Sequence, residues 1–156
     1  MTSTNEPPPL PTDDQLINGN LPIIDEFRAN NGRIEAFERT YTNPQVLLIT
    51  TKGARTGRDQ IVPLGYMADG DDIVIIASKQ GNPKNPAWYH NLKANPEVTV
   101  ELPGEPPYRA EAILTEGEER KRLFDAMAER ASVFAGYQAR TTREIPVFVL
   151  RRITAN

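Results

Sequence analysis

The chain has no cysteine and a single histidine. Without thiols there is no disulfide, no thiolate nucleophile and no cysteine-held zinc or iron–sulfur cluster. One histidine cannot build a multi-histidine metal site. A Ser-His-Asp triad would have to use His90, and nothing around it resembles a nucleophile elbow. No stretch approaches the roughly 18 uninterrupted apolar residues of a bilayer-spanning helix. The opening "MTSTNEPPPLPTDD" has neither a basic start nor an apolar centre, so it does not read as a signal peptide and the expected location is the cytoplasm. A formal net charge of −3 lacks the basic excess of a nucleic-acid binder, so any bound anion must be met by a local cluster of cations.

What is present suits one soluble globular domain. The 156 residues are 38% apolar and 25% charged. Residues 1–14, rich in Pro, Thr and Asp, read as a disordered tail, and residues 15–156 as a single domain. Between Leu21 and Arg39 the spacing of Ile23, Ile24, Phe27, Ile34 and Phe37 predicts a helix, a break at "NNG" and a second short turn. Strands follow at "QVLLITT", "DQIVPLGYM" and "DIVIIAS". Pro63 implies a bulge or an unpaired edge in the second, and Asp69-Gly70 signals a hairpin into the third, which is apolar enough to be buried on both faces.

Asn85-Pro86 reads as an N-cap and first position of a short helix ending at Asn95-Pro96. "EVTVEL" and "YRAEAIL" are strands. Thr115 and Glu118 have the spacing of a capping box for a helix to about residue 130, with Leu123, Phe124 and Met127 inward. "IPVFVLRR" is the last strand. Six or so strands joined mostly by short turns predict an α+β, mainly β, architecture: an antiparallel sheet closing into a small barrel with peripheral helices.

Three places gather chemistry. "TTKGARTGR" (50–58) puts Lys52, Arg55 and Arg58 with two glycines in an inter-strand turn, where backbone N–H groups and cations meet an anion; it lacks the ending of a P-loop. Ser78-Lys79 emerges where an apolar strand stops. Trp88, Tyr89 and His90 open the short helix, whose N-terminus favours negative charge. Each has a plainer explanation: a solvated hairpin, a strand end, a core tryptophan, a histidine bonded to a neighbour. Taken together they describe cations for a phosphate tail and aromatic walls for a flat ring. No obvious nucleophile or base accompanies them, which points to a bound redox cofactor.

"LLITTKGARTGR", "VPLGYMADGDDIVIIASK", "NPAWYHNLKANPEVTV" and "YQARTTREIPVFVL" resemble, in order, blocks of the deazaflavin-dependent nitroreductase family, over about residues 20–152. The resemblance implies a split β-barrel like those of FMN-binding proteins. It implies coenzyme F420 as the hydride source, no metal, and a quinone, a nitroaromatic or an activated alkene as acceptor. It places the cofactor against Ala54, Arg55, Thr56 and Arg58, along Gln60, Ile61, Val62, Pro63, Leu64 and Gly65, and beside Ala77, Ser78 and Lys79. Ala87, Trp88, Tyr89, His90 and Asn91 complete that pocket, and Lys52 joins it as one of the loop cations. The acceptor is expected near Gly65, Ala131, Phe134 and Tyr137, with Ser78 and Tyr137 as the hydrogen-bond donors of catalysis.

The drug-activating member of that family has arginine at the position of Gln60, tyrosine at Gly65, and tyrosines in place of Ala131 and Phe134, which leaves reduction of bicyclic nitroimidazoles open. An FMN-binding oxidoreductase and a non-catalytic carrier of F420 remain alternatives. Split barrels of this size often pair, leaving room for a homodimer. An apolar face on the Leu21–Arg39 helix leaves room for peripheral membrane contact, which Asp25, Glu26, Glu35 and Glu38 disfavour at an anionic surface.

Overall fold

In the computed structural model, which describes residues 22–40 and 45–153, the apolar runs become seven strands. Residues 22–29 are helical (α1), followed by α2 at Glu35–Thr40. The strands are β1 (Val46–Lys52), β2 (Asp59–Gly65), β3 (Met67–Asp69), β4 (Asp72–Ile76), β5 (Glu97–Glu101), β6 (Tyr108–Leu114) and β7 (Val147–Arg152). Helix α3 (Ala87–Ala94) lies between β4 and β5, and α4 (Gly117–Arg130) and α5 (Val133–Ala139) between β6 and β7. The expected tail at 1–14 lies outside the described residues.

The sheet order is β2-β1-β5-β6-β7-β4-β3, antiparallel at every pairing. Its edge strands β2 and β3 are consecutive in the chain, with only Tyr66 between them. Two edges joined by one residue cannot lie on opposite sides of a flat sheet. The sheet therefore curls until they meet, and a split barrel results.

That closure divides the predicted second strand. Residues 59–65 pair with β1, but 67–69 pair with β4, so the chain changes partners at Tyr66. Pro63 sits on an edge strand opposite Leu48 in an unbroken register, where its missing N–H costs no ladder bond. The Asp69–Asp72 hairpin forms as expected, with Gly70 at φ +63°.

The period-2 pattern distributes the core into three zones. Leu47 and Ile49, Ile73 and Ile75, Val98 and Val100, and Phe148 and Leu150 fill the barrel interior. The alternate residues of β4 and β7, Val74, Ile76, Val147 and Val149, point outward under Leu123, Phe124 and Met127 of α4. The alternate residues of β1, Val46 and Leu48, are covered by Ile24, Phe27 and Ile34 from α1 and the turn before α2. The apolar face considered for membrane contact is thus spent on the barrel wall. No helix among the described residues is long and apolar enough to cross a membrane.

Three local expectations shift. Thr115 does not cap α4: its hydroxyl donates to the Val147 carbonyl at 2.8 Å, and the helix starts at Gly117 with no side-chain cap. Asn85 does not cap α3. Pro86 takes that position, and the Asn85 amide oxygen is used elsewhere. Helix α5 was not foreseen, because seven residues containing Gly136 give too short and too interrupted a period to stand out.

Candidate functional site

Helix α3 follows the loop after β4, leads into β5 and packs its inner face into the barrel core. Trp88 and Leu92, four residues apart, share its inner face and enter the core, where the indole lies 6.0 Å from the Phe148 ring. Trp88 is only 7% exposed, so the lone tryptophan is a core anchor first. Tyr89 is half-buried beside Phe148, with the exposed His90 edge-on at 5.1 Å and Lys93 over its ring at 6.0 Å. Ala87 stands half-buried at the helix start.

Asn91 shares the inner face and is 5% exposed, so its amide must find partners inside the protein. It finds three. Its Oδ1 accepts from the Ala54 N–H at 2.9 Å, and its Nδ2 donates to Thr51 Oγ1 at 3.1 Å and to Gln60 Oε1 at 2.9 Å. Asn91 therefore ties α3 to the glycine-containing loop and to β2. The side chain of Gln60 is committed to this lock.

The loop itself uses most of its own donors. Gly53 N–H bonds to Arg58 O at 2.7 Å, Gly57 N–H to Gly53 O at 2.9 Å, and Arg58 N–H to Thr56 Oγ1 at 3.2 Å. With Ala54 held by Asn91, the amides of Arg55 and Thr56 are the loop donors left to a ligand among the described residues. Lys52 is paired with Asp59 across the strand end at 3.3 Å. Arg55 and Arg58 are exposed and face no carboxylate among the described residues. The predicted anion site is thus two guanidiniums and two amides rather than a full ring of backbone donors.

The second loop, after β4, is held by a residue not assigned to the site from sequence. Arg143 donates from Nε to Asn82 O at 2.8 Å, from Nη1 to Ala77 O at 3.2 Å and Asn85 Oδ1 at 2.8 Å, and from Nη2 to Ser78 O at 2.8 Å. Burial lowers its pKa, countered by the nearby Tyr89 phenol. Arg143 lies 58 to 66 positions from these partners, so no local spacing announces the contact. The loop then turns through a 3-10 segment, Lys79–Gly81, against α5. Gly81 at φ +81° packs so closely that a β-carbon there would sit 2.6 Å from the Tyr137 carbonyl oxygen. Ser78 and Lys79 are thereby brought next to the helix that carries Tyr137.

The remaining predicted positions lie on β2, after α4 and on α5. Along β2 the side chains of Gln60, Ile61, Val62, Pro63 and Leu64 are all half-buried, without the alternation of a strand covered on one face. Gly65, exposed, lies about 17 Å further along the strand than Gln60 at the usual strand rise. Gln45 links it to α4: its carbonyl lies 3.8 Å from where a Gly65 β-carbon would be, and its side chain accepts from Arg130 at 3.2 Å. Ala131 follows Arg130. Phe134 and Tyr137, edge-on at 5.8 Å, lead along α5 back to Gly81. A cleft of about 480 Å³, lined by Gly32, Arg33, Ile34, Phe37, Glu38, Gln45 and Val46, meets these positions at Gln45 and includes neither loop.

The fold places the protein in a class first. A solved F420-H2 dependent reductase superposes with a TM-score of 0.64 and 38% identity, covering 70% of this chain and 95% of that one. A second solved chain, described as a domain-swapped dimer, gives 0.65 and 33%, covering 86% and 98%. The protein is a split-barrel oxidoreductase.

The sequence narrows this. Residues 23–152 match the family model described as F420H(2)-dependent quinone reductase. An F420H(2)-dependent quinone reductase of Mycobacterium tuberculosis is 41% identical over 128 residues, 81% of this chain and 85% of that protein. The chain belongs to the F420H(2)-dependent quinone reductase family.

Proposed function

We propose that the protein binds coenzyme F420 at the α3 end of the barrel and catalyses hydride transfer to a quinone-type acceptor. The carrying observation is the Asn91 lock, which holds the Arg55/Arg58 loop against the same helix that borders the Ser78–Lys79 loop. The donor set fits the group: uncompensated guanidiniums and two amides suit an anionic tail, and half-buried Val62, Leu64 and Tyr89 suit one face of a flat ring. When bound, the reduced deazaflavin supplies the hydride.

The protein's own part is positioning and charge stabilisation. Arg55 and Arg58 hold the tail. Trp88 and Leu92 close the barrel end so that the ring rests on a rigid floor. Ser78 and Tyr137 donate hydrogen bonds to an acceptor oxygen as it gains negative charge, and Tyr137 or water supplies the proton that neutralises it. Gly65 and Ala131 leave room for the acceptor, and Phe134 supplies an apolar wall. Nitroaromatics and activated alkenes share the electron-poor character of a quinone and are further acceptors. The described domain-swapped neighbour supports pairing of two copies.

The test is an anaerobic titration of purified protein with the deazaflavin and, separately, with FMN. Saturable binding of the deazaflavin, followed by turnover with a quinone panel, is the expected result. Saturation with FMN alone overturns the reading in favour of a flavin enzyme, and tight deazaflavin binding with no turnover makes the protein a carrier. Tyr137→Phe is expected to lower turnover more than cofactor affinity; equal losses in both exclude it as the donor.

A further inference from the structure

Lys79 has φ +44°, in the left-handed region that a β-carbon disfavours. A residue stays there only when its surroundings dictate it, and such residues gather at functional sites. Arg143 holds the chain on either side of Lys79. Its acceptors bracket Lys79: the carbonyls of Ala77 and Ser78 on one side, the carbonyl of Asn82 and the amide oxygen of Asn85 on the other. No carboxylate among the described residues pairs with it, so within the protein the partly buried charge is met by loop oxygens. The loop has to keep its curl for that charge to stay satisfied. From behind, Gln138 Nε2 donates to the Arg143 carbonyl at 2.7 Å, linking the clamp to α5.

We propose that Arg143 is a positioning residue of the reductase site, clamping loop 77–85 so that Lys79 keeps its left-handed conformation and the Ser78–Gly81 turn stays against α5 beside Tyr137. The inference rests on the reading that this loop borders the cofactor. A lysine cannot replace the arginine, because one ammonium does not reach four acceptors spread round a planar fork.

The first arm of the test needs no cofactor. Hydrogen exchange is followed at Gly81 N–H and Asn82 N–H, which bond to Ser78 O at 2.9 Å and Lys79 O at 3.0 Å. Arg143→Lys is expected to speed both by about tenfold or more, the loss of at least one charge-assisted bond, while β1 and β5 amides stay unchanged. Asn85→Ala, which removes a single acceptor, is the milder variant and is expected to act in the same direction; it carries the test if Arg143→Lys does not fold. Unchanged exchange at the two amides, or equal acceleration throughout the barrel, overturns the proposal.

The second arm measures deazaflavin dissociation constants for the wild type, Lys79→Ala, Arg143→Lys and the double variant. Arg143→Lys is expected to weaken binding about tenfold alone and much less when Lys79 is already gone. Equal factors in both backgrounds overturn the claim that Arg143 acts through Lys79. A wild-type protein that fails to bind the deazaflavin sinks the functional reading instead, and the exchange arm still judges the clamp.

Discussion

Asn91→Ala is the perturbation that most directly tests how the site is assembled. The side chain is nearly fully buried and makes three hydrogen bonds of 2.9, 3.1 and 2.9 Å, to Ala54 N, Thr51 Oγ1 and Gln60 Oε1. The freed partners fare differently. Gln60 is half-buried and Ala54 is exposed, so both reach water after truncation. Thr51 is 1% exposed and keeps only a long 3.5 Å contact to the Gln60 carbonyl. Counting about 1 kcal/mol for each bond gives about 3 kcal/mol. For a domain of this size that corresponds to a fall in Tm of about 6–12 °C.

Calorimetry reads the stability, and a deazaflavin titration at a temperature well below the new midpoint reads the site. The variant is expected to bind more weakly even where it is fully folded, because the Arg55/Arg58 loop has lost its tie to α3. A drop in Tm under about 2 °C would refute the claim that the three bonds carry the junction. A full drop in Tm with unchanged affinity would refute the claim that the junction organises the anion site.

Three other perturbations probe separate links. Arg55→Ala and Arg58→Ala should each weaken deazaflavin binding, and the pair should flatten its dependence on salt, since exposed guanidiniums act through screened charge; an unchanged salt slope excludes them from the tail. Gly81→Ala should destabilise by about 2–3 kcal/mol, because its φ of +81° and the Tyr137 carbonyl 2.6 Å from the new β-carbon both oppose it. Melting within 1 °C of wild type would show that the turn does not pack on α5 as described.

The last concerns alkaline pH. Burial raises the pKa of Tyr66, with Glu105 adding to the effect, and burial likewise raises Tyr108, both from an ordinary 10.0. The unfolded chain ionises first, so the stability these phenols contribute is intact below about pH 10 and drains away as pH rises through the raised values. Melts between about pH 8 and 11 should show that decline, and Tyr66→Phe with Tyr108→Phe should flatten it; superimposable profiles would refute the assignment.

The candidate site was only partly legible in the chain, for physical reasons that differ by residue. Arg55 and Arg58 stood out because cations and glycines share one inter-strand turn, a pattern that a solvated hairpin also produces. The buried pair of faces on β4 followed from an uninterrupted apolar run. Asn85 and Thr115 misled because a capping spacing is a local signal, and both side chains were claimed by distant partners, Arg143 and the Val147 carbonyl. Trp88 drew attention as a ring wall, and the barrel interior took it.

Local pattern alone determined the apolar runs that become strands, the barrel class, the break between the first two helices and the absence of thiol or histidine-cluster chemistry. These depend on periodicity, turn residues and composition, which are properties of neighbours in the chain. Only the tertiary structure decided that β2 and β3 part at Tyr66, that Asn91 locks the glycine-containing loop, and that Arg143 shapes the turn at Lys79. Those contacts span 31 to 66 positions or follow from closing a sheet on itself, and no local preference encodes where a curled sheet will bring its far ends.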